Sequence, residues 1–236
     1  MPFLTAEWRK LAFANYLVDP EVLKPFVPWG TELDLWQGKC YVSLVGFMFM
    51  HTRLRGIRVP FHVNFEEVNL RFYVRRKDGV EWKRGVVFIR EFVPKPALTW
   101  VANTIYGENY ATVPMRHRWE AEATHLKVAY HWKKEGRWHQ FVVEAENEPK
   151  PIEPGSEAEF ITEHYWGYAR QGDKSTNEYE VKHPTWLQYA VEDYNLEVDY
   201  GQLYGKAFEP LNGQGPASVM LAEGSAVSVE SKRQVR

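Results

Sequence analysis

The sequence predicts a mainly β fold, an antiparallel barrel or sandwich, and three observations carry that prediction. Apolar and polar residues alternate along several segments, as in strands with one buried face. Short turn-forming clusters join neighbouring segments, and helix signals are confined to brief connections. A chain of 236 residues suits one such unit, so residues 1–236 are expected to form a single domain. At that length roughly 70–75% of the unfolded surface can be buried, and neither a disulfide nor a metal is needed to hold the fold.

Taken in order, Asp19-Pro20-Glu21 supplies an N-cap, a proline at the first helical position and an acid in the first turn. Pro25 and Pro28 keep that helix short. Gly38 to Val45 is rich in β-formers, and Phe47 to Met50 extends it. Phe65 to Val74 alternates cleanly, with Val68, Leu70, Phe72 and Val74 on one face and Glu67, Asn69, Arg71 and Tyr73 on the other. Lys77-Asp78-Gly79 turns the chain into a return strand from Gly85 to Phe92. Pro96 to Tyr106 carries Leu98, Val101 and Ile105 at helical spacing and meets Gly107, a natural stop. Thr124 to Trp132 and Arg137 to Glu144 form a hairpin about Lys134-Glu135-Gly136. Ser156-Glu157-Ala158-Glu159 is a capping box that predicts a helix through about Tyr168. The acidic, proline-punctuated stretch from Glu144 to Glu153 is the one candidate linker.

Composition excludes several classes. Cys40 is the single cysteine, which rules out a disulfide framework and paired-cysteine zinc sites and fits a reducing compartment. The longest apolar stretch, Tyr41 to Met50, is about half a bilayer span, and the N-terminus has no secretory pattern. A cytoplasmic protein without a membrane partner is expected. Net charge is -2, yet residues 51–100 hold eleven Lys/Arg against five Asp/Glu, and residues 141–210 hold five against fifteen. The basic segment raises nucleic-acid binding as a weak alternative; a solvated face or a complementary contact in a homo-oligomer reads better, and no nucleic-acid partner is expected.

Familiar catalytic motifs are missing: the chain has no glycine-rich phosphate loop, no His-Glu-x-x-His pair and no Gly-x-Ser-x-Gly elbow. Cys40 lies mid-strand without an evident base and reads as a core residue. His125 and His131 share a strand face but stand about 20 Å apart, too far for one metal ion. No spacing supports a site among His51, His62, His117 and His183, so neither metal nor cofactor is expected. The informative cluster is Glu67-Val68-Asn69-Leu70-Arg71, which projects three hydrogen-bonding side chains from one strand face. Such a face is either solvated or lines a cavity where a carboxylate and a guanidinium orient a small polar ligand. Lys95, held between Pro94 and Pro96, is a second candidate, since a desolvated amine can form a Schiff base with a ketone.

The order of these segments resembles the YqjF-like family of bacterial proteins, within the acetoacetate decarboxylase-like superfamily. The matching pieces are Trp8 to Pro28 with Val18-Asp19-Pro20-Glu21-Val22-Leu23, Leu33-Asp34 with Gly38, and Val42-Ser43-Leu44-Val45. They continue with Phe65 to Val74, Phe160-Ile161-Thr162-Glu163-His164-Tyr165 and His183-Pro184-Thr185-Trp186. The resemblance implies a closed or cone-shaped antiparallel β-barrel with short helices and an internal cavity. It also implies a decarboxylase-like site in which the lysine falls on Lys95, the glutamate on Glu67 and the arginine on Arg9. The chain departs from that pattern in having Lys95-Pro96 where the decarboxylase has two adjacent lysines.

Two functions follow as expectations. One is a small-molecule-binding barrel in which Glu67, Asn69, Arg71, Tyr73 and Arg9 surround an oxygen-rich ligand. The other is a cofactor-free lyase in which Lys95 attacks a keto acid, Arg9 pairs with its carboxylate and Glu67 orients it or moves protons.

Overall fold

The computed structural model describes residues 1–236. The N-terminal half contains β1 (Leu4–Leu17), α1 (Pro20–Leu23), β2 (Glu32–Leu33), β3 (Tyr41–Leu54), β4 (Phe65–Asp78), β5 (Glu81–Val93) and α2 (Pro96–Val101). Next come β6 (Tyr110–Thr112), β7 (Met115–Ala121), β8 (His125–Lys134), β9 (Arg137–Glu146), β10 (Lys150–Pro151) and α3 (Glu157–Thr162). The chain ends with β11 (Trp166–Gly172), β12 (Ser175–Lys182), β13 (Leu187–Tyr189), β14 (Val191–Glu197), α4 (Tyr200–Tyr204), β15 (Ser218–Val229) and β16 (Arg233–Val235).

Two sheets result. The larger runs β10-β13-β15-β1-β3-β4-β5-β11-β12-β16, and β12 also pairs with β15, so hydrogen bonding passes from β15 round to β15 again. The smaller sheet has the order β14-β9-β8-β7. Its inward residues, including Val128, Tyr130, Trp132, Phe141 and Val143, pack with Val68, Leu70, Phe72 and Val74 of β4 in one core. Burial of such side chains contributes about 1.5–3 kcal/mol each. A second core on the other face of β4 includes Phe13, Phe47, Phe49, Phe65, Tyr73 and Phe160. Both faces of β4 are therefore covered, and the face bearing Glu67, Asn69 and Arg71 looks into protein.

The hairpins and the first helix follow the sequence pattern; Asp19 accepts a hydrogen bond from the Glu21 amide. α2 runs on as a π-turn through Tyr106 and stops at Gly107, whose φ of 74° lies in the left-handed region. One boundary differs. The helix expected from Ser156 to about Tyr168 ends at Thr162, and Trp166 already opens β11 beside β5. The capping box forms, with Ser156 Oγ accepting from the Glu159 amide at 3.2 Å. Pairing of Trp166 and Gly167 with Gly85 and Val86 then overrides helical propensity. Cys40 is buried, and burial followed by the charge of Asp19 pushes its thiol up to about 11.

Candidate functional site

A cavity of about 240 Å³ lies over the polar face of β4. Spacing of two residues along a strand points Glu67, Asn69 and Arg71 the same way. The antiparallel register sets Glu91 beside Asn69 and Phe88 beside Arg71, with a bulge at Ile89 between them. Phe47 of β3 stands opposite Glu67 and completes this wall. Glu91 also faces Tyr110 across the short parallel pairing of β5 with β6. Most of the remaining lining is apolar, from Trp8, Leu11, Phe49, Val86, Leu98 and Val101 among others.

At one end three carboxyl groups gather. Asn69 Nδ2 donates to Glu67 Oε1 at 2.9 Å, and the Tyr110 hydroxyl donates to Glu67 Oε2 at 3.1 Å. The Tyr179 hydroxyl donates to Glu108 Oε1 at 2.8 Å. Tyr179 reaches Glu108 by lying across Gly167, its partner in the β11–β12 ladder; a Cβ there would sit 2.1 Å from Tyr179 Cζ. Burial pushes the Glu67 carboxyl up to about 7, against the hydrogen bonds from Asn69 and Tyr110 and the charge of Arg71. Glu108 is also pushed up to about 7, by burial first, with Tyr179 opposing and the charge of Glu67 adding. Glu91 is raised by burial and by the charges of Glu108 and Glu67. Like charges crowded in a dry site keep protons up to near neutral pH, so this end carries less negative charge than three ordinary carboxylates would.

Arg71 marks the other end. Its residue is 7% exposed, and its one hydrogen bond, from Nη2 to the Ile161 carbonyl, is 3.3 Å long. No carboxylate lies within ion-pair distance. The guanidinium instead rests 5.3 Å from the Phe13 ring centroid and 5.7 Å from that of Tyr73. His164 packs against the same Tyr73 ring at 4.8 Å and lines the cavity. Its Nε2 donates to Asp34 Oδ2 at 3.2 Å, and Arg84 Nε donates to the same oxygen at 2.6 Å. Burial, with the charges of Arg84 and Arg71, lowers His164 to about 4 against the pull of Asp34, which keeps the ring neutral.

The other candidates lie elsewhere. Tyr73 is buried beneath Arg71, its hydroxyl 2.7 Å from Ser43 Oγ, and does not line the cavity. Arg9 is outside the lining too; it pairs with Glu7 at 2.7 Å and Glu223 at 3.4 Å. Lys95 precedes α2, also outside the lining. Its charge acts on Glu66, on the opposite face of β4 from Glu67. There burial would raise the Glu66 carboxyl, but the hydrogen bond from His117 and the charges of His117 and Lys95 outweigh it. Sequence pattern did not single out Glu91, Glu108, Tyr110, Tyr179 or His164 as site residues. The signal for His164 is the Phe160 to Tyr165 run, and for Glu91 the Arg90-Glu91 pair that resembles the decarboxylase's Arg-Glu segment; Glu108, Tyr110 and Tyr179 have none, because they reach the site from segments distant in sequence.

Comparison with known proteins begins with a family model. The DUF2071 family, described as an uncharacterized conserved protein, matches residues 5–226. The chain belongs to this family. The chain is also similar to the uncharacterized protein YqjF of Bacillus subtilis (strain 168), 28% identical over 192 residues, or 81% of this chain and 77% of the relative. Among solved structures, acetoacetate decarboxylase from Legionella pneumophila superposes with a TM-score of 0.66 at 13% identity, covering 100% of this chain and 88% of that one. The enduracididine biosynthesis enzyme MppR complexed with pyruvate also gives 0.66, at 10% identity, over 99% of this chain and 91% of MppR. This DUF2071 chain therefore has an acetoacetate decarboxylase-like fold. No helix is long and apolar enough to cross a membrane.

Proposed function

We propose that this chain binds a small organic anion, a monocarboxylate with an apolar body, inside a cone-shaped barrel formed by the ring of strand pairings. Arg71 holds the carboxylate, Asn69 and Glu67 bound the polar wall, and the aromatic and aliphatic lining takes the body. The observation that carries this reading is a guanidinium buried in a cavity wall without a carboxylate partner. An uncompensated buried charge costs several kcal/mol, so a fold that keeps one gains by accepting a counter-charge from outside. Carboxyl groups that keep protons up to about pH 7 at the far end repel an incoming anion less than ionised ones would. Pyruvate, held by the structurally similar MppR, is itself a small carboxylate.

Titration calorimetry with 3-phenylpropanoate tests the reading. Binding to wild type that weakens at least about tenfold in Arg71→Gln is expected, since a charge-assisted hydrogen bond is worth about 1.5–3 kcal/mol. No binding to wild type, or equal binding to the variant, overturns it.

The lyase reading rests on likeness of fold to acetoacetate decarboxylase and needs the Lys95 amine to reach bound substrate. Its test is intact mass after borohydride reduction with α- and β-keto acids. Under the binding reading no adduct forms; an adduct lost in Lys95→Ala would establish the Schiff base that the lyase reading requires, and CO₂ release from the reacting acid would then establish the lyase.

A further inference from the structure

The polar atoms of the cavity narrow the ligand further, given the carboxylate reading above. Six buried polar side-chain atoms of lining residues have no hydrogen-bond partner: Trp8 Nε1, Thr52 Oγ1, Asn69 Oδ1, Arg71 Nε, Glu91 Oε2 and His164 Nδ1. Orphaned buried polar groups are rare in native proteins and point to an absent partner.

His164 is the informative one. Asp34 Oδ2 accepts from both Arg84 Nε and His164 Nε2. A carboxylate takes only donors, so Nε2 carries the proton and Nδ1 presents a lone pair. Arg71 and His164 both line the cavity and both contact the Tyr73 ring, at 5.7 Å and 4.8 Å from its centroid, and the charge of Arg71 acts on His164. The same part of the cavity wall therefore carries a cation and an obligate hydrogen-bond acceptor.

We propose that Arg71 and His164 form a subsite for a 2-hydroxycarboxylic acid, its carboxylate on the guanidinium and its hydroxyl donating to His164 Nδ1. The hydroxyl of such an acid is adjacent to its carboxylate, which matches two protein groups sharing one ring. A 2-keto acid would oppose its carbonyl lone pairs to that of Nδ1. A 2-amino acid would bring an ammonium next to Arg71, with Asp34 already engaged by two donors. Asp34 acts here as a positioning residue that sets the tautomer.

Four acids of one skeleton test this by calorimetry: 3-phenylpropanoate, phenylpyruvate, phenyllactate and phenylalanine. Wild type is expected to bind phenyllactate at least about tenfold more tightly than the other three, because a site built around a hydroxyl rejects analogues without it. In His164→Phe, which keeps a ring, the affinity ratio of phenyllactate to 3-phenylpropanoate should fall to about one; a ratio still at about tenfold or more overturns the assignment. Nitrogen NMR of wild type is independent of any variant's folding. It should show an Nε2–H tautomer, with the Nδ1 resonance moving on addition of phenyllactate and not of 3-phenylpropanoate. Equal binding of phenyllactate and 3-phenylpropanoate, or phenylpyruvate or phenylalanine matching phenyllactate, overturns the hydroxy-acid assignment and leaves the Arg71 anchor standing. Failure of all four to bind removes both.

Discussion

Arg71 and Glu67 leave the same strand face, yet their environments drive opposite behaviour. Arg71 has no carboxylate within ion-pair distance, and Glu67 is pressed toward its neutral form. A bound carboxylate is therefore attracted from one end and spared repulsion from the other only while the acids hold their protons. Affinity for 3-phenylpropanoate should fall as pH rises from 6 to 8, since Glu67 and Glu108 ionise around 7 while the ligand is already fully ionised. Glu67→Gln stays neutral throughout and should weaken that dependence, leaving the part due to Glu108; calorimetry across the range checks it. An undiminished pH dependence in the variant would move the titration to other groups.

Between elements, close approach does the positioning. The β11–β12 ladder sets Gly167 opposite Tyr179, and the absent Cβ lets the tyrosine ring fold over the strand toward Glu108. Gly167→Ala would place a methyl about where Tyr179 Cζ now lies. The expected cost is about 1–3 kcal/mol, as for other overpacked sites, read by denaturant unfolding. The Glu108 carboxyl should also rise further, because the hydrogen bond from Tyr179 is what lowers it. Carbon NMR of the glutamate side chains would follow that shift. If stability and titration are both unchanged, Tyr179 is not positioned by this contact.

For the whole molecule the buried groups oppose one another in their effect on stability. Glu67 and Glu108 have folded values near 7, above the usual carboxyl value of about 4.3. They contribute stability that is complete below about pH 4.3 and lost as pH rises through about 7. His164 has a folded value near 4, below its usual 6.5 or so; its contribution is complete above about pH 6.5 and lost as pH falls through 4. Between pH 6.5 and 7.5 only the carboxyl side changes, so the melting temperature should fall across that interval. Scanning calorimetry of wild type beside Glu67→Gln checks this, with a smaller fall in the variant. An identical fall in both proteins would remove Glu67 as a source.

Much of this was legible in the residues themselves. Alternation from Phe65 to Val74 determined which side chains of β4 travel together, because a strand has a period of two whatever surrounds it. Turn clusters located the hairpins, and Asp19-Pro20 located a helix start, since these signals are local. Tertiary structure alone decided that the Glu67 face is buried, because alternation assigns residues to sides and says nothing of what covers a side. It alone brought Glu91, Glu108, Tyr110, Tyr179 and His164 to that face from four separate segments, through non-local register and a bulge. It set Arg9 among acidic neighbours and left both Arg9 and Lys95 outside the cavity lining. It also ended the 156–168 helix early, since pairing with β5 is worth more there than helical propensity. Side-chain identity and spacing set the local geometry; the dry environment that leaves Arg71 unpaired and raises the carboxyls exists only once distant strands have closed over them.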